Sequence, residues 1–180
     1  MNSTIENLIN RRSVRKFKTE QIKDDELKQI LLAGTYAPTG MNKQSPKIVV
    51  IQNKETINEL SNLNAKFLWT KNLAEKIDPF YGAPTIIVVL ADKNFKTFVE
   101  DGSLVLGNIM NAAYSLGIGS CWIHRAKEEF ESDEGKKLLE KWNIPDNYVG
   151  IGHCVLGYPA LPLDSLHAAP RKDDYVTFIK

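Results

Sequence analysis

An α+β fold is predicted, with helices flanking a central mixed or antiparallel sheet, and three observations carry the prediction. Helical and β-branched segments are interspersed without the regular strand–helix–strand alternation of a doubly wound protein. Two short β-branched runs, at 47–52 and 85–91, are bounded by turn residues. One long helical pattern, from Asp101 to Leu116, is apolar around most of its circumference. With no repeat, low-complexity tract or Pro/Gly-rich linker, residues 1–180 read as one domain.

In chain order, Thr4 to Ile9 reads as a short helix leading into the basic stretch Arg11 to Lys18. A second helix starts near Asp24 with Leu27, Ile30 and Leu31 on one face and Gly34 near its end. The runs 47–52 and 85–91 are almost continuously apolar, which predicts strands buried on both faces. In the long helix, Leu104, Val105, Leu106, Ile109, Met110, Ala112 and Ala113 leave little polar face, and such a helix is normally buried on every side. Either its own domain encloses it or a second copy of the chain covers it, and the pattern leaves both open. After Gly117 a short strand runs through Ile123, a helix covers about Ser132 to Trp142, and a last apolar strand runs from Tyr148 to Leu156.

Composition excludes several classes of function. Lys and Arg total 23 against 22 for Asp and Glu, so no overall basic field exists to drive binding of nucleic acid or an anionic membrane. The longest apolar run, Ile86 to Ala91, is too short to span a bilayer, and the polar first ten residues do not read as a secretory signal. A cytoplasmic address is expected. Cys121 and Cys154 are 33 positions apart, each in an apolar stretch, which reads as two buried free thiols.

Three segments could carry chemistry. Arg11, Arg12, Ser13, Val14, Arg15 and Lys16 place four cations around one hydroxyl, a set able to hold a monophosphate through paired guanidinium hydrogen bonds; a solvated basic stretch is the plainer alternative. The turn-rich segment Ala37, Pro38, Thr39, Gly40, Met41, Asn42, Lys43, Gln44 offers carboxamides that can match the imide edge of a planar heterocycle, or simply serve the loop. The third, Gly117 to Arg125, is a glycine turn and a strand ending in polar residues. A dinucleotide fingerprint fails there because Trp122 stands where a glycine is needed. His124, His153 and His167 show no metal-ligand spacing, so no metal is expected.

Together these pieces, with Phe17, Gly82-Ala83-Pro84, Gly157-Tyr158-Pro159 and Pro170-Arg171-Lys172, resemble the FMN-dependent nitroreductase family in order and spacing. The resemblance implies an α+β homodimer with a flavin in each of two interface sites, the long helix lying at that interface. It implies that Arg11, Arg12 and Ser13 hold the flavin phosphate and ribityl chain, with Arg171 and Lys172 completing the phosphate site. Arg15 would reach the N1 and C2 carbonyl side of the ring and tune its electronics. Asn42, Thr39 and Pro38, with Gln44, would meet the flavin from the other subunit, and Trp122, Ile123, His124 and Arg125 would lie along the ring. By the same resemblance, hydride passes from NADH or NADPH to flavin N5 and on to a nitroaromatic, quinone or flavin acceptor in a ping-pong cycle. Relatives of this fold also carry out dehalogenation or flavin fragmentation, and flavin storage without turnover is a further alternative. Phe67, Trp69, Phe80 and Tyr81 are candidates for a pocket cover or for plain core positions, since little chain lies between Ala91 and Asp101 to supply one.

Overall fold

A computed structural model of the chain describes residues 1–67 and 77–180. In order, the elements are α1 (Ser3–Asn10), α2 (Asp24–Thr35), β1 (Pro46–Ile51), α3 (Lys54–Lys66), β2 (Thr85–Asp92), α4 (Phe98–Ser115), β3 (Gly119–Ile123), α5 (Ala126–Glu131), α6 (Asp133–Lys141) and β4 (Tyr148–Gly157). Short 3₁₀ turns lie at Gly40–Asn42 and Leu163–Ser165. The strands form one sheet in the order β1-β2-β4-β3 with antiparallel neighbours throughout. A single parallel bridge from Ser13 to Ser120 adds the basic segment to the β3 edge.

The apolar run 86–91 explains why β2 is central. Alternate side chains of a strand point to opposite faces. Ile87, Val89 and Ala91 therefore join Cys154 and Leu156 beneath α2 and α4, against Ile30, Leu106 and Ile109. Ile86, Val88 and Leu90 join Cys121 and Val155 on the other face, against Leu60, Phe130, Leu138 and Leu139 of α3, α5 and α6. The sheet is thus covered on both sides. A side chain at Gly34 would lie 2.8 Å from Ile109, so α2 crosses α4 at this spacing only because that position carries no Cβ.

One sequence expectation changes, one helix was not foreseen, and one open alternative narrows. The strand read at 47–52 is not buried on both faces: β1 has one strand neighbour and is largely half-buried, as an edge strand is. Helix α3 was missed because its sequence, KETINELSNLNAK, is mostly polar and shows only a narrow apolar stripe. Helix α4 is not enclosed by its own chain, since Leu104 is 47% exposed and Val99 49%. Among the described residues no helix is long and apolar enough to cross a membrane. Both cysteines are buried and unbridged. Burial pushes the Cys154 thiol well up, the Cys121 charge adds to this, and the Arg11 charge pulls the other way without offsetting it.

Candidate functional site

The β3 edge gathers cations with donors left over. Val14 N–H donates to the Ser120 carbonyl at 2.9 Å, which fastens the basic segment to the strand. A Cβ at Gly119 would stand 2.9 Å from Val14, so the approach is close. Farther on, Lys18 N–H donates to the Tyr158 carbonyl and Ala160 N–H to that of Lys16, sewing the segment to the chain beyond β4. Arg12 spends Nη1 on the carbonyls of Ile9 and Arg11, closing the C-terminal end of α1. Three buried polar atoms here have no protein partner among the described residues: Arg11 Nη1, Arg12 Nε and Ser120 Oγ. Buried polar groups of this kind are almost always satisfied, so these three atoms on the basic segment and the adjoining β3 are groups still wanting a partner. Arg15 is exposed on the same segment.

At the far edge, the loop before β1 is held by a buried carboxylate. Asp101, 2% exposed, accepts from Gly40 N–H at 2.9 Å, from Ser45 Oγ at 2.7 Å and from Thr97 Oγ1 at 3.2 Å. Gln44 N–H donates to Thr39 Oγ1, and the Gln44 carboxamide donates to Asn42 Oδ1. Met41, Asn42 and Gln44 all take positive φ, 50°, 53° and 50°. Such backbone persists only when its surroundings over-determine it, which is the role of Asp101. Pro38, Asn42 and Gln44 stay exposed, while Thr39 is half-buried and lines, with Gln44, a cavity of about 370 Å³ that reaches Val105 of α4.

At the end of β3, Trp122 packs against the α4 side of the sheet and Ile123 is buried. His124 is exposed, yet its carbonyl accepts from Asn64 Nδ2 at 2.8 Å. Arg125 then turns the chain with φ 81° and donates to Glu128 at 2.6 Å. Burial tends to raise the Glu128 carboxyl, but the hydrogen bond and charge of Arg125 outweigh it and hold the group below its usual range.

The two polar edges do not meet within one chain. Ser13 lies beside Ser120, which aligns through Leu156 with Thr85, whereas the amide loop adjoins Pro46 at the opposite end of β1. About four inter-strand steps of 4.8 Å and roughly six residues of 3.4 Å put them on the order of 25–30 Å apart. Arg171 and Lys172 lie on the exposed tail, where the Arg171 guanidinium donates to the Ala169 carbonyl; neither is hydrogen-bonded to the basic segment. Of the cover candidates, Phe80 is fully buried core, Phe67 packs against the same cluster and Tyr81 is 37% exposed; Trp69 lies outside the described residues. Ser120, Asp101 and Asn64 were missed as site residues, since a lone serine, aspartate or asparagine inside a regular element leaves no sequence pattern.

The sequence profile of the Nitroreductase family matches residues 8–158. This chain belongs to the nitroreductase family. It is 31% identical over 176 residues to an Archaeoglobus fulgidus protein provisionally named NADH dehydrogenase/NAD(P)H nitroreductase, covering 95% of this chain and 94% of the other. A Bacillus subtilis FMN reductase [NAD(P)H] is 26% identical over 89% of this chain and 67% of its own. The crystal structure of a Bacteroides fragilis nitroreductase with bound FMN superposes with a TM-score of 0.89 at 29% identity, covering both chains fully. The nitroreductase fold expected from the sequence is therefore the fold this chain adopts.

Proposed function

We propose that this nitroreductase-family chain is an FMN-dependent oxidoreductase that takes hydride from NADH or NADPH and delivers electrons to small acceptors of the nitroaromatic, quinone or flavin type. The observation that carries the reading is the trio of buried atoms left without a partner among the described residues, Arg11 Nη1, Arg12 Nε and Ser120 Oγ, at the β3 edge. A phosphate monoester supplies the acceptors they lack, and the FMN named with the B. fragilis relative carries that group. Flavin, when bound, supplies the hydride and electron chemistry, and the protein supplies binding, orientation and charge.

Each residue has a part in this reading. Arg11, Arg12 and Ser13, with Ser120, would hold the phosphate end, and Arg171 and Lys172 would reach it from the tail. Arg15 would stand beside the N1 and C2 carbonyl side of the ring, where a fixed positive charge favours the reduced form. The stretch Trp122 to Arg125 would line the ring, and Pro38, Thr39, Asn42 and Gln44 would meet it from a second copy of the chain. The 25–30 Å between the two edges of one chain supports that division, and the half-open α4 with Leu104 outward supports a homodimer built around it. Donor and acceptor would use one open ring face in turn, giving a ping-pong cycle. The test is the visible spectrum of freshly purified protein, followed by anaerobic addition of NADH and then NADPH. Flavin bands bleached by either nucleotide and restored by a quinone are expected, with parallel double-reciprocal lines in steady state; colourless protein that takes up no added FMN overturns the reading.

A further inference from the structure

The link from His124 to Arg125 is tied down from beneath by three side chains shut off from solvent. His153 of β4 and Glu129 of α5 are both fully buried, with Nε2 2.8 Å from Glu129 Oε2. The other carboxylate oxygen accepts from Nδ2 of Asn64 on α3, itself 1% exposed, and the same Nδ2 donates to the His124 carbonyl. Phe80 meets the His153 ring edge-on at 5.2 Å and Phe130 lies 6.3 Å from it, so the imidazole is confined. Its Nδ1 has no partner among the described residues.

Stability does not explain this arrangement. Apolar side chains of similar volume commonly fill such a space as well or better, because each buried polar group must recover the hydration it gives up. What the polar chain does, and an apolar one cannot, is end on a main-chain atom outside the core. A trans peptide sets its carbonyl and N–H on opposite sides, so drawing the His124 carbonyl inward turns the Arg125 N–H outward. Arg125 needs that hold, since its left-handed backbone, at φ 81°, is strained for a residue that carries a side chain.

We propose that Asn64, Glu129 and His153 form a positioning relay that fixes the 124–125 peptide against the flavin ring, and so sets the geometry of hydride arrival. The proposal rests on the flavin reading above and adds three residues remote from the ring. It is tested with wild-type protein, Asn64→Leu, and the combined Asn64→Leu, Glu129→Leu, His153→Phe variant, in which the whole relay becomes apolar. Each is titrated with FMN, and the bound flavin is then reduced by NADH in stopped flow. Failure of the wild type to bind FMN overturns the flavin reading itself. Given that binding, the combined variant is expected to keep FMN affinity within about threefold while its flavin is reduced roughly tenfold more slowly, with a shifted visible band. Wild-type rate and spectrum in either variant overturn the relay. Should the variants not fold, the wild type decides: the Asn64 carboxamide resonances are expected to move when bound flavin is reduced, and unmoved resonances overturn the proposal.

Discussion

The two edges of the sheet treat polar groups in opposite ways. At the β3 edge, Arg11, Arg12 and Ser120 keep buried atoms that no group among the described residues answers. At the β1 edge, the loop answers its own: Gly40, Ser45 and Thr97 converge on Asp101, and Gln44 reaches Thr39 and Asn42. Unanswered charge gains free energy when a ligand arrives, whereas a satisfied, strained loop gains little and offers shape. In the proposed flavin reading, the first edge would supply affinity and the second orientation. If both serve one flavin, two chains must bring them together.

The sharpest break in this comparison comes from α4. Leu104→Glu places a charge on the exposed apolar flank of that helix, and an unpaired charge buried in a subunit contact costs several kcal/mol, at least a hundredfold in association. Light scattering should report a monomer, and its flavin content should fall with the dimer. A monomeric wild type that holds flavin would mean that one edge suffices.

Next in size are two substitutions with opposite profiles. Asp101→Ala removes the acceptor shared by three donors, and should lower stability by about 2–4 kcal/mol in urea unfolding, with a smaller effect on flavin retention. Arg11→Ala should do the reverse. A charged hydrogen bond to phosphate is worth about 1.5–3 kcal/mol, so FMN affinity should drop at least tenfold with little change in the unfolding midpoint. At the orienting edge, Asn42→Ala should weaken FMN by only about threefold, because a neutral hydrogen bond nets about 1 kcal/mol or less. Equal losses from Arg11→Ala and Asn42→Ala in an FMN titration would erase the distinction between the edges.

How far the sequence foretold this picture follows from the physics of each part. Chain order and charge type were legible: β2 announced itself by its apolar run, α4 by its circumference, and the basic segment by four cations within six residues. Local patterns of this sort depend on neighbours in sequence. Asp101 was legible only as part of a helix, because what makes it matter is the loop folded back onto its carboxylate from some 60 positions away. His153 read only as a histidine without metal-ligand spacing; its link to Glu129 and Asn64 exists only where three elements pack. The edge position of β1 was likewise set by strand order, which no single run of residues encodes.

The smallest effect tests whether the turn after β3 is held electrostatically as well as from beneath. Glu128 pairs with Arg125 at 2.6 Å, and that pairing outweighs burial to keep the carboxyl below its ordinary 4.5. A carboxyl depressed on folding contributes stability that is present above the unfolded value and disappears as pH falls through the lower folded one. The difference in thermal midpoint between wild type and Glu128→Gln should therefore be constant above about pH 5 and shrink steadily below pH 4.5. The difference should be small throughout, since both groups are partly exposed and solvent screens the pair. A difference that grows on acidification would mean that burial, not Arg125, governs this carboxyl, and the hold on the turn would then rest on Asn64 alone.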